Sequence, residues 1–359
     1  SGASNLVPHD TNGAGDIFVY DRETQIIELL SVAEDNSQAN DGSGEPSISA
    51  DGRWVAFSSI ASDLAVGDTD GLSDIFLHDR KTGRTTLVSA AVDGGAGNMM
   101  SMEPAISADG RWIAFTSNAD NLVPETDEYS GENIADTNGT SDIFVYDRLG
   151  SDIRRISLSS EGNESNHNSN SPGISANGRW VVFWSLANSL VPGKSRGIYL
   201  HDRSTGTTQW IADGLAPSIS PDGRWIGFLP VSGDLVPDDA LYAALYDRQS
   251  GKVTVVGRYA QGRIQGRPSR ALAFSMDGEW IAFRSTFNPP DDPSPAESSE
   301  WGQQVWYLDQ KTGVMTLVSA APDGLPGNSI SAAPSFSADG RWIAFQSLAD
   351  NLVTGDENG

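Results

Sequence analysis

The sequence predicts an all-β protein: a six-bladed β-propeller with four antiparallel strands per blade and a closing blade shared between the N-terminal and C-terminal strands. Three observations carry this expectation. Gly 38 and Pro 18 make about one residue in six of the 359, and 38% of residues are hydrophobic, too turn-rich for a helical bundle and too apolar for a disordered chain. A hairpin, Ser-x-Asp-Gly-Arg-Trp-[Val/Ile]-Ala-Phe, recurs with its Trp at Trp54, Trp112, Trp180, Trp225, Trp280 and Trp342, at spacings of 58, 68, 45, 55 and 62. A second block, Asp-Ile-Phe-[Val/Leu]-[Tyr/His]-Asp-Arg, begins at Asp16, Asp74 and Asp142 and has weaker copies at Gly197, Tyr242 and Gln304.

Each unit of about 58 residues reads as four short strands. Strand a is Pro46 to Ser49, strand b Arg53 to Ser59, strand c Asp74 to Arg80 and strand d Thr85 to Ala90, with equivalents in the other copies. Asp51-Gly52 and Asp109-Gly110 suit the tight a-to-b turn because Asp-Gly tolerates positive φ, and Asp79 to Gly83 serves the c-to-d turn. Ile26 to Ala33 has apolar residues at helical spacing. Its aligned copies, Thr85 to Ser89 and Thr207 to Ile211, are short and rich in β-branched residues, so strand d is expected throughout.

Radially stacked blades leave only short protected edges, which makes a propeller the natural solution for six such units. The chain starts with strands c and d (Asp16 to Arg22, Gln25 to Val32) and ends with a and b (Pro334 to Ser337, Arg341 to Ser347). The two ends together supply one four-stranded blade, and residues 1–359 are expected to form a single propeller domain. Asp356 to Gly359 repeat the register of Asp10 to Gly13, which suggests a propeller excised from a longer chain.

Ser-Ala-Asp-Gly-Arg-Trp-Ile-Ala-Phe at 107–115 and 337–345, followed in the first case by Asp-Ile-Phe-Val-Tyr-Asp-Arg, resembles the TolB-type, WD40-like propeller repeat over essentially the whole chain. The resemblance implies the fold and a periplasmic or extracellular setting. It transfers little activity, because one fold hosts many functions.

Lys+Arg 23 against Asp+Glu 48 gives a net charge of −25, a field that repels phosphate backbones and anionic lipid and concentrates cations. No nucleic-acid partner and no membrane insertion are expected, and the protein is expected to be a monomer. Cys 0 removes disulfides, thiolate metal sites and cysteine nucleophiles together.

The a-to-b and c-to-d turns are short and uniform, whereas the b-to-c and d-to-a loops vary in length. Loop variation on a rigid scaffold is where binding resides, so a protein or glycan partner is expected on the face carrying those loops. Three b-to-c loops read Asp-Thr-[Asn/Asp]-Gly-x-x-Asp, giving Asp10, Asn12 and Asp16; Asp68, Asp70 and Asp74; and Asp136, Asn138 and Asp142 as candidate metal residues. Alternating oxygen donors before a Gly turn, with a later carboxylate, suit Ca²⁺ at about 2.3 to 2.6 Å. Pro8, Val66 or Ile134 stands where calcium loops carry a first ligand. Asx-turns and strand capping fit the same residues, and both readings stay open. Blades with altered loops, such as Pro192 to Gly197, lose the acidic set together.

A second loop motif, Asn-x-x-Ser-x-x-Pro, places Asn40, Asn98, Asn166 and Asn328 before strand a. Satisfaction of the loop's own backbone is the expected role, with a polar ligand as the other. No nucleophile elbow, zinc-protease, phosphate-loop or dinucleotide motif occurs, so no catalytic residue is assigned. His78 and His201 stand where other blades have Tyr and read as packing residues, while His9 and His167 are singletons. The repeated Trp residues are expected to fill the space between blades.

The expectation is a non-enzymatic extracellular or periplasmic binding or adhesion module with calcium-ordered loops. A carbohydrate-active enzyme using carboxylates from different blades, with Tyr129 and Trp301 in acidic insertions, and a structural spacer are the alternatives.

Overall fold

Short β-branched runs between Asp-Gly or Gly-containing turns fold as hairpins, and the described residues of the protein are built from them. The structure is a computed structural model that describes residues 1–2, 5–8, 10–126, 135–231, 241–259, 272–285, 303–337 and 340–353. His9, Tyr129, Ile134, Trp301, the loop around Arg263 to Arg270 and the terminal Asp356 to Gly359 lie outside the described residues. No helix among the described residues is long and apolar enough to cross a membrane.

The chain divides into two compact units: Ser1–Ser195 with His201–Gln209, and Arg196–Leu200 with Trp210–Gly359. In the first, β1 (Phe18–Asp21) and β2 (Ile26–Leu29) form a two-stranded sheet. Next comes a four-stranded meander of β3 (Ser43–Ile48), β4 (Trp54–Ser59), β5 (Asp74–Asp79) and β6 (Arg84–Leu87). Strands β7 (Ser101–Ile106), β8 (Trp112–Ser117), β9 (Asp142–Asp147) and β10 (Asp152–Arg155) repeat it. The unit boundary falls within the sheet of β11 (Ser169–Ile174), β12 (Trp180–Ser185), β13 (Gly197–Asp202) and β14 (Thr207–Ala212).

The second unit continues with β15 (Gly214–Ile219), β16 (Trp225–Pro230), β17 (Leu241–Asp247) and β18 (Lys252–Tyr259). Strands β19 (Leu272–Phe274), β20 (Trp280–Ser285), β21 (Gln304–Asp309) and β22 (Met315–Leu317) follow, and β23 (Ser331–Phe336) with β24 (Ile343–Ser347) ends the chain as a pair. Among the described residues the architecture is that of an all-β propeller: five four-stranded blades and a two-stranded fragment near each end of the chain.

Residues 26–29 are a strand, not a helix, paired with β1 from Phe18↔Leu29 to Asp21↔Ile26. Strand d is shorter than the sequence suggests, ending at Leu87 instead of Ala90. Strand a is longer, starting at Ser43, and contains a bulge between Gly44 and Ser47. Pro46 has no N–H for the ladder, and Glu45 before it takes a φ of 52°. The same geometry recurs at Glu103, Ser171, Ala216 and Ala333, each before a Pro. In the first unit these bulges are tied together: the Glu45 carboxylate accepts the Glu103 amide at 2.8 Å, and Glu103 accepts the Ser171 amide at 2.7 Å.

The hairpin motif is a hydrogen-bonded box. Ser49 Oγ donates to Asp51 at 2.5 Å and accepts the Trp54 amide, while Asp51 accepts the Arg53 amide. Gly52, at φ 69°, completes the turn without a Cβ penalty. Arg53 then makes a bidentate pair with Asp79, both contacts at 2.7 Å, and Asp79 also caps the c-to-d turn at Lys81. This pair links the two repeated blocks of one blade, and it recurs as Arg111–Asp147, Arg179–Asp202 and Arg224–Asp247.

The Trp residues lie between blades, Trp54 against Gly110 and Trp112 against Gly178 of the next hairpin turn, but they are only partly buried. Trp54 is half-buried, stacked between its neighbour Arg53 at 4.5 Å and Arg148 of the next blade at 3.8 Å, and Trp342 is 55% exposed. The Phe three residues on is the core residue: Phe57, Phe115, Phe183, Phe228 and Phe283 are all at 0%. Phe57 stacks on Phe76 and Phe115 on Phe144, at 5.8 and 5.9 Å between ring centres.

Candidate metal centre

The three acidic loops share one backbone design. The middle residue makes an Asx-turn: Asn12 Oδ1 accepts the Ala14 amide, Asp70 Oδ1 the Leu72 amide and Asn138 Oδ1 the Thr140 amide. The Gly that follows is left-handed in each, at φ 68° for Gly13, 69° for Gly71 and 64° for Gly139. The last Asp is fully buried, at the start of β5 and β9 and two residues before β1, and a Ser two residues past strand d anchors it. Ser31 Oγ donates to Asp16 at 2.5 Å, Ser89 Oγ to Asp74 at 2.5 Å, and Ser157 Oγ to Asp142. Turn chemistry and carboxylate convergence therefore coexist in one loop.

What surrounds the carboxylates differs. In the first loop the Gln38 amide nitrogen donates to Asp10 at 2.9 Å and to Asp16 at 3.0 Å, and Asn12 Nδ2 reaches Asp16 at 3.5 Å. In the third, Asn138 Nδ2 donates to Asp142 at 2.5 Å, and Arg155 Nη1 lies 3.3 Å from Asp136 and 2.8 Å from Glu164. Burial and the Asp142 charge push Asp136 up to about 6, against the pull of Arg155. In these two sets the chain's own amide or guanidinium groups stand beside the carboxylates, although Asp10 Oδ2 and both oxygens of Asp136 receive no hydrogen bond and Arg155 meets Asp136 as an ion pair.

The second loop has neither group. Asp68, Asp70 and Asp74 each bring a carboxylate oxygen within 4.8 Å of the others. Asp68 is 2% exposed and Asp74 is 0% exposed. Neither oxygen of Asp68, nor Oδ2 of Asp74, has a hydrogen-bond donor. Leaving such atoms buried costs several kcal/mol unless something neutralises them. Desolvation raises Asp74 to about 7, with the Asp68 charge adding to it. Asp68 rises to about 6, again mainly by burial; the Asp70 backbone amide offsets part of the rise and its carboxylate adds to it. Two deeply buried carboxylates and a third at the surface can hold a metal ion.

Other blades at this position confirm what the Asp is for. Gln304 replaces it at the start of β21, accepting from Ser319 Oγ at 2.6 Å and donating to the Gly327 and Ser329 carbonyls. Gly197 replaces it in β13, where Arg196 pairs with Asp213 at 3.2 Å. Sequence reasoning found the Asp and Asn residues but missed Ser31, Ser89, Ser157, Gln38, Arg155 and Glu164. The signal available was a Ser 15 residues after the last Asp of each loop.

The remaining candidates are occupied structurally. Asn40 Nδ2 donates to Ser62 Oγ and its Oδ1 accepts the Ser62 amide, and Asn98, Asn166 and Asn328 make equivalent ties to 120, 188 and 350. His78 and His201 are buried with Nδ1 3.0 and 2.9 Å from Thr85 and Thr208 hydroxyls. Burial lowers both, His201 to about 4, so each is neutral at pH 7.

No protein-family model matches the chain, and no curated protein does. Solved structures do. A TolB from Acinetobacter baumannii is 16% identical with a TM-score of 0.48, covering 84% of this chain, which spans only 59% of that one. A putative TolB from Agrobacterium tumefaciens is 15% identical with a TM-score of 0.51, over 93% of this chain and 98% of that one. An oligogalacturonate lyase in complex with manganese is 13% identical with a TM-score of 0.53, over 96% and 80%. At these identities the likeness establishes one thing: the chain has a β-propeller fold distantly similar to TolB-like propellers and to oligogalacturonate lyase.

Proposed function

We propose that the protein is a non-catalytic binding module of an extracellular or periplasmic setting, a six-bladed propeller in which Ca²⁺ held by Asp68, Asp70 and Asp74 fixes a loop of the partner-binding face. The observation that carries it is the pair of buried carboxylates with three oxygens lacking donors. Oxygen-only donors favour Ca²⁺ over transition metals, and a loop not built to tight octahedral geometry favours it over Mg²⁺. The net charge of −25 enriches cations around the site. Strand arithmetic supports six blades: the two strands near each end of the chain add to one four-stranded set.

With metal bound, Asp68 and Asp74 stay ionised and the b-to-c loop is tied to the start of β5, which positions neighbouring loops for a protein or glycan. The test is thermal unfolding in EDTA with Ca²⁺ or Mg²⁺ titrated back, alongside glycan-array and protein capture in both conditions. A saturable, calcium-selective rise in Tm and calcium-dependent capture without product formation are expected. Equal unfolding in EDTA and Ca²⁺ overturns the metal reading. Turnover of an oligosaccharide, lost with a carboxylate pair, overturns the non-catalytic one in favour of a carbohydrate-active enzyme.

A further inference from the structure

The three acidic loops differ at three positions around the carboxylates, and at none of the three does the second loop carry an amide donor or a cation. The first is the middle of the loop: Asn12 and Asn138 donate an amide to the last Asp, whereas Asp70 brings another negative charge. The second is the turn after strand d. Gln38, Ala96 and Glu164 are equivalent, each forming an isolated bridge with Val32, Ala90 and Leu158 in turn. Gln38 reaches its carboxylates and Glu164 pairs with Arg155, while Ala96 has only a methyl group. The third is the strand-d residue opposite the strand-c aromatic. Leu29 pairs with Phe18, Leu87 with Phe76 and Arg155 with Phe144, so only the third loop has a cation there.

The second loop has therefore lost a donor at the middle position relative to both others, and it lacks the bridging amide of the first and the guanidinium of the third. An isolated loss at any one position is ordinary variation within a repeat. The absence of a donor at all three positions, with the added Asp70 charge, leaves two deeply buried carboxylates to be neutralised by a proton or by an outside cation.

We infer that residues 12/70/138, 38/96/164 and 29/87/155 are the selector of cation dependence, and that the three similar loops provide one exchangeable cation site, at Asp68, Asp70 and Asp74. In the first loop the Gln38 amide is the permanent counter-group, and in the third the Arg155 guanidinium is. The inference rests on the calcium reading of the second loop and goes beyond it, because it says which residues turn a metal loop into a self-neutralised one.

The selector can be transplanted within the full chain. Asp70→Asn with Ala96→Gln gives the second loop the groups of the first, and Asn12→Asp with Gln38→Ala does the reverse. Ca²⁺ bound per chain is measured by equilibrium dialysis, with circular dichroism in Ca²⁺ and in EDTA to confirm folding. The first double variant is expected to bind one equivalent fewer than the parent and to unfold in EDTA no lower than the parent does. The second is expected to bind one more. Because the first variant removes only a surface charge and supplies an amide donor, it tests the inference even if the second fails to fold. An unchanged count in a folded Asp70→Asn/Ala96→Gln chain, when Asp68→Ala removes one equivalent, overturns the selector and leaves the metal reading standing. Loss of an equivalent from the first loop on Asp16→Ala also overturns it. If Asp68→Ala removes no calcium, the metal reading fails and the selector with it.

Discussion

Asp68→Asn separates a metal ligand from a turn-forming carboxylate, because the two roles predict opposite signs in the absence of metal. Asp68 is 2% exposed, neither of its oxygens has a donor, and its carboxyl rises from 3.8 to about 6. At about 1.4 kcal/mol per unit, keeping it ionised in the folded, metal-free protein at pH 8 costs roughly 3 kcal/mol. An isosteric amide removes that cost. With an unfolding entropy of about 2.1 cal/mol/K per residue, the gain corresponds to a Tm increase of roughly 3–4 °C in EDTA for a chain of this length. In Ca²⁺ at a hundredfold excess over Kd the parent gains about 2.7 kcal/mol by linkage, a comparable rise that the variant largely forgoes. The assay is calorimetry of parent and variant at pH 8 in EDTA and in a calcium series. The expected pattern is a variant more stable than the parent in EDTA and insensitive to Ca²⁺. A variant equally destabilised in both buffers refutes the reasoning, since it would mean that Asp68 is needed as a hydrogen-bond acceptor by the loop itself.

The pH dependence should invert with metal. Asp68 and Asp74 have folded pKa values raised above 3.8, to about 6 and about 7, so the folded state binds more protons and the EDTA form loses stability as pH rises from about 4 through 7. Calcium affinity should instead fall as pH drops through that window, and unfolding curves with and without Ca²⁺ at pH 5 to 8 read both trends. Arg53→Ala should move acid unfolding to higher pH: Arg53 holds Asp79 down at about 2, and a depressed carboxyl contributes stability above its unfolded pKa that is lost as pH falls through the folded one. Unchanged acid titration of the variant would show that the pair contributes nothing. Phe115→Ala should cost about 3–5 kcal/mol in urea unfolding, whereas Leu149→Ala, at a side chain 65% exposed, should change stability by under about 0.5 kcal/mol. Equal costs would contradict the placement of the core.

The repeat made the fold legible because each blade is a local hairpin pair whose turns are written in Asp-Gly and Asp-Arg chemistry, and because equivalent segments must share a conformation. That logic rightly favours a strand over a helix at 26–29. It places the Trp between blades but does not show that the ring is only partly buried, since hydrophobic size does not tell a fully buried residue from one sandwiched between guanidinium groups; Phe57 and its equivalents are fully buried. It also does not foresee the bulge before each strand-a Pro, where Glu45 and Glu103 turn their carboxylates to amides of neighbouring blades.

The sequence by itself determined the acidic loops, their Gly turns and the identity of nine candidate ligands, because these are contiguous residues at fixed offsets. Only the tertiary structure decided how they differ. Gln38 meets Asp10 and Asp16 across 28 and 22 residues, and Arg155 reaches Asp136 from the far end of strand d. Whether a buried carboxylate needs an outside cation depends on what folds back over it, and those groups come from a turn that the loop's own sequence does not contain.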